Sequence, residues 1–221
     1  SIGNNDNGKA ESKSADGGYL GLSDEEEELF TQVAALKKQG VFSKVVLLLN
    51  TGNPLQMQDI EKYYSSLDAC LWIGQPGSTG INAVADLLRG KDNDGNSLSP
   101  SGRLPDTWAY NLNSAPAAIN DGNYTYQNTD LLSSKLKNSI SFFDKYMVYQ
   151  EDIYVGYRYY ETRFFDAQNG DKGALSTTGT YHSTSNWKYD EEVAFPFGYG
   201  LSYSKFSYGN YNVTEKDDSY E

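Results

Sequence analysis

The chain has 221 residues, 38% of them hydrophobic and 14% aromatic, enough apolar surface for a packed domain and too much for a wholly disordered chain. Thirty acidic residues against eighteen basic ones leave a net charge of −12, which repels phosphate backbones and argues against a nucleic-acid partner. A single cysteine excludes an internal disulfide framework and a multi-cysteine zinc site, and the longest apolar run, residues 45–49, is far too short to cross a membrane.

Residues 1–22 are polar and rich in Gly, Asn, Ser and Lys, the composition of a loop or frayed end. A helix is predicted to start at Ser23, with Glu26 at the spacing of a capping box. Asp24, Glu25, Glu26, Glu27 and Glu28 put negative charge at the positive end of its dipole; this account is preferred to cation binding, because neighbouring acids on one turn point in different directions. Leu29, Phe30, Val33, Ala34 and Leu36 form its expected buried stripe, and Gly40 ends it. Val45-Val46-Leu47-Leu48-Leu49 has the continuous apolar character of a strand covered on both faces. A short helix over 60–67, a second buried strand over 69–73 and a helix over 81–88 closed by Gly90 follow. Strand, helix, strand, helix implies an α/β fold with a mostly parallel sheet flanked by helices.

Beyond Gly90, residues 103–108 read as a short extended piece and 109–130 as a long loop. Leu132, Leu136, Ile140 and Phe143 recur at helical spacing. Ile153, Val155, Tyr157 and Tyr159 alternate, which predicts a strand with one aromatic face. Residues 166–192 are a polar insertion, 195–203 a compact aromatic turn, and 207–221 a tyrosine-bearing tail or linker. The expected organisation is therefore a flexible segment over 1–22, an α/β domain over 23–206 and a tail over 207–221.

No single motif supplies chemistry. The Gly-rich stretch 74–80 lacks the Lys-Ser or Lys-Thr of a phosphate loop and the order of a dinucleotide fingerprint, so a tight strand-to-helix turn is preferred and no cofactor is expected. Asp92-Asn93-Asp94-Gly95-Asn96 has Ser97 and Arg103 where a calcium loop needs glycine and glutamate, which favours an Asx turn over a metal site. His182 is the only histidine, lies in the polar insertion, and has no Gly-x-Ser-x-Gly elbow to serve. Cys70, inside an apolar strand, is expected to be a buried, inert thiol. The matches to the glycosylation sequon at Asn123 and Asn212 are expected by chance in so Asn- and Thr-rich a chain. No charged-then-apolar leader opens the sequence, leaving a cytoplasmic chain or a mature or excised piece of a secreted one.

Five stretches, in order, resemble the second, α/β-sandwich domain of glycoside hydrolase family 3. They are Val45-Val46-Leu47-Leu48-Leu49-Asn50-Thr51-Gly52-Asn53-Pro54; Trp72-Ile73-Gly74-Gln75-Pro76-Gly77-Ser78-Thr79-Gly80 with 85–90; Pro100-Ser101-Gly102-Arg103-Leu104-Pro105; residues 153–162; and Phe195-Pro196-Phe197-Gly198-Tyr199-Gly200-Leu201-Ser202-Tyr203. The resemblance implies a sandwich domain lacking its first strands, with a Tyr-rich C-terminal extension. It also implies that the barrel domain carrying the catalytic aspartate is the missing partner, and that a fibronectin-III-like domain often follows.

The implied reaction is retaining hydrolysis of terminal β-linked glucose or a related sugar from oligosaccharides or glycosides, with two carboxyls ~5–5.5 Å apart. The resemblance places the acid/base glutamate in a loop just upstream of the Ser-Asp-Glu helix start. Here Ser1-Ile2-Gly3-Asn4-Asn5-Asp6-Asn7 holds no glutamate, so the group is expected just before residue 1. Glu11 is the candidate within the chain, set against a plain solvated loop glutamate. The rival expectations are a non-catalytic carbohydrate-binding module and, from another class, a flavodoxin-like small-molecule binder.

Overall fold

The computed structural model describes residues 21–100, 102–116, 151–170, 174, 187–216, 219 and 220. Glu11, His182, the helix predicted over 132–143 and most of the polar insertion lie outside the described residues.

The first helix, α1 (Asp24–Lys38), begins as its sequence dictates. Ser23 Oγ accepts from the Glu26 amide at 3.2 Å, and the Glu26 carboxylate accepts from the Ser23 amide at 3.0 Å. Two amides left without helical partners are thereby satisfied. The stripe is narrower than expected: Phe30 is buried, Val33, Ala34 and Leu36 are half-buried, and Leu29 is exposed. Phe30 stacks on Tyr63 at 4.8 Å, fixing α1 to the 3-10 turn Tyr64–Ser66 that follows the one-turn helix α2 (Gln58–Glu61).

Strands β1 (Val46–Leu49) and β2 (Ala69–Trp72) pair in parallel, Val46 opposite Ala69 and Leu49 opposite Trp72. This is the parallel α/β arrangement expected. The expectation that both faces would be covered fails. Leu47 and Leu49 enter the core, whereas Val46 is 44% exposed, and Ala69 and Cys70 are exposed as well. Among the described residues the sheet has two strands, so each strand's side chains have a strand neighbour on one flank only. Helix α3 (Gly77–Arg89) then runs to Gly90, whose left-handed backbone (φ +68°) lets its amide reach the Asp86 and Leu87 carbonyls.

The later elements build a second core. Strand β3 (Trp108–Ala109) pairs antiparallel with β4 (Val193–Phe195). Successive β3 side chains face opposite ways. Trp108 therefore joins Phe30, Leu47, Leu49, Leu55, Met57 and Ile60, while Ala109 joins Tyr159, Tyr160, Ala174 and Val193. Each fully buried Leu or Ile in the first cluster stabilises the fold by roughly 1.5–3 kcal/mol.

Residues 157–159 are helical, not extended: α4 spans Tyr157–Asn169. Gly156, at φ +57°, turns the chain out of any strand, and the buried residues Tyr159, Tyr160, Arg163 and Asp166 recur at helical spacing. The first residues of the predicted insertion belong to α4, and its last form α5 (Tyr189–Glu192), which runs into β4. Within the predicted tail, β5 (Glu215–Lys216) and β6 (Ser219–Tyr220) form a short antiparallel pair.

Candidate functional site

The five family-like stretches meet in space in two groups. At the carboxyl ends of β1 and β2, the Trp72 indole Nε1 donates to the Thr51 carbonyl at 2.8 Å. A Cβ on Gly52 would lie 3.0 Å from Gln75 Nε2, so only glycine lets the two loops close without displacing that amide. The crevice beyond the carboxyl ends of parallel strands is where α/β folds commonly bind ligands. Four buried polar atoms, Thr51 Oγ1, Gln56 Nε2, Thr107 Oγ1 and Trp108 Nε1, have no hydrogen-bond partner among the described residues.

The second group centres on Asp106. Its Oδ1 accepts from the Thr107 amide at 2.8 Å and from the Tyr157 amide at 2.6 Å, so a carboxylate one residue beyond Pro105 caps the start of α4. Tyr157 stacks on Phe197 at 4.1 Å. Leu104 accepts from the Gly198 amide and donates its own to the Tyr199 carbonyl, both at 2.8 Å, so the Gly102-Arg103-Leu104 stretch is laced to 198–200. Arg103 also donates to the Gly200 carbonyl. Trp72 and Trp108, edge to face at 5.3 Å, join the two groups.

These arrangements bind and brace; they do not pair two acids. Asp106 is committed to amides. Asp166, buried in the second core, accepts from the Ala174 amide at 2.7 Å. Among the described residues, a shallow cleft beside α4 is lined by one carboxylate, that of Asp190, and another, between α1 and Ser65-Ser66, by none. Among the described residues no group of three or more His, Cys, Asp or Glu is placed to hold a metal ion. Asp92 forms the expected Asx turn, its Oδ1 accepting from the Asp94 and Asn96 amides at 2.9 and 2.8 Å.

Cys70 corrects an expectation. It is exposed on β2 and not buried, although partial desolvation pushes the thiol up to about 11. Burial likewise raises the Tyr160 phenol above the ordinary tyrosine value, opposed by its 2.6 Å hydrogen bond with Ser114 Oγ. Arg163, fully buried, has its guanidinium 4.6 Å from the centre of the Trp187 ring and donates to the Tyr159 hydroxyl. Sequence reasoning singled out neither Asp106 nor Arg163. Asp106 had one available signal, a carboxylate directly after the Gly-Arg-Leu-Pro stretch; Arg163 had none, because a charged residue interrupts an apolar pattern.

A parallel strand pair with flanking helices defines an α/β domain. Residues 2–157 match the family described as glycosyl hydrolase family 3 C-terminal domain, and the chain belongs to that family. It is 33% identical over 190 residues to a β-glucosidase of Ruminococcus albus, covering 86% of this chain and 14% of the relative. It is 29% identical over 209 residues to thermostable β-glucosidase B of Acetivibrio thermocellus, covering 95% of this chain and 20% of that protein. The chain thus spans a fifth or less of the length of these two relatives. The solved β-glucosidase D2-BGL of Chaetomella raphigera shares the fold, with a TM-score of 0.51 at 24% identity over 90% of this chain and 20% of that one.

Proposed function

We propose that the chain is the sandwich domain of a retaining β-glycosidase that removes terminal β-linked glucose or a related sugar from oligosaccharides or glycosides. The nucleophilic aspartate is supplied by a barrel domain outside these residues. The observation that carries this reading is the family match over residues 2–157. Retention needs one carboxylate to attack the anomeric carbon and a second, ~5–5.5 Å away, to protonate the leaving oxygen and then activate water. A domain holding one of the two at most assists chemistry completed elsewhere.

Incubating the 221-residue chain with a chromogenic β-glucoside should give no turnover above buffer; sustained hydrolysis by the chain alone would overturn the reading. Glu11 is this chain's candidate for the acid/base. In the enzyme carrying its nucleophile domain, Glu11→Gln should slow glucosides with poor leaving groups far more than activated aryl glucosides, since only the former need protonation. Equal slowing of both would remove Glu11 from that role.

A further inference from the structure

We draw no further inference here: the strongest candidate, the surface patch of exposed apolar side chains at the start of α4 made by Ile153, Val155 and Phe197, whose ring stacks on Tyr157, carries nothing because nothing in the structure shows what covers it.

Discussion

Gly156→Ala should be among the most damaging single-methyl additions this domain can receive, and the structure says why. Gly156 holds φ +57° and ψ −131°, a backbone region closed to side chains with a Cβ. An added Cβ would sit 2.6 and 2.7 Å from the two carboxylate oxygens of Asp106 and 3.0 Å from its Cγ. Asp106 cannot simply swing aside, because its Oδ1 holds the Tyr157 amide at 2.6 Å and the Thr107 amide at 2.8 Å. Backbone strain costs about 1–3 kcal/mol, and losing a hydrogen bond to the charged cap about 1.5–3 kcal/mol more. The sum, about 3–6 kcal/mol, is a large share of the roughly 5–15 kcal/mol that holds an ordinary domain. At roughly 2–4 °C per kcal/mol for a chain of this size, the melting temperature should fall by about 6–24 °C. Gly40 provides the control: its φ is +77° but nothing lies within 4 Å of an added Cβ, so Gly40→Ala should cost only the strain, about 1–2 kcal/mol. Thermal or urea unfolding of both variants decides the matter. If Gly156→Ala loses no more than Gly40→Ala, the carboxylate clash and the cap are not the reason for that glycine.

Ser23→Ala should cost about 1 kcal/mol by removing one arm of the α1 capping box, whereas Glu26→Gln, which keeps an acceptor, should cost less; paired melts compare them. Asp68 accepts from Lys37 Nζ at 2.6 Å, Lys44 Nζ at 2.9 Å and the Val45 amide at 2.8 Å, which together hold its carboxyl well below the usual aspartate range. A depressed folded pKa contributes stability above the unfolded value of about 3.9, and that contribution fades as the pH falls below it. The urea midpoint should therefore drop more between neutral pH and about pH 3 for the parent than for Asp68→Asn; equal drops would refute the pairing. Cys70, with its thiol near 11, should react with a disulfide reagent at neutral pH much more slowly than a free cysteine despite its exposure, and speed up in urea. Equal rates folded and unfolded would show that its surroundings do not restrain it.

Local signals carried the first half of the fold. The capping box at Ser23, the apolar runs at 46–49 and 69–72 and the left-handed stop at Gly90 are each decided by a few adjacent residues, and all form where expected. What those runs could not reveal is coverage. A continuous apolar strand is compatible with two buried faces, and only the identity of its neighbours determines whether Val46 and Cys70 meet other side chains or water. The 153–159 stretch misled for a different reason. Its alternation of Ile153, Val155, Tyr157 and Tyr159 has a period of two, but Gly156 and a carboxylate fifty residues upstream start a helix inside it. Tertiary capping overrode a local pattern.

The buried face of α4 was hidden in the sequence as well. Tyr159, Tyr160, Arg163 and Asp166 follow helical spacing, but two of the four are charged, so a search for apolar periodicity sees no stripe. Arg163 is held inside by the ring faces of Trp187 and Tyr159 and by its hydrogen bond to the Tyr159 hydroxyl, and Trp187 lies outside α4. The same holds for the cleft beside α4: Phe164 and Gln168 come from the helix, while Trp187 and Tyr189 come from beyond a long polar stretch. Such a cleft is defined by the convergence of separate segments, and a polar stretch between two aromatic groups resembles a plain surface loop until its flanks are seen to meet. Aromatic residues at the borders of a polar insertion, opposite a helix with a buried arginine, are the pattern that would have located it.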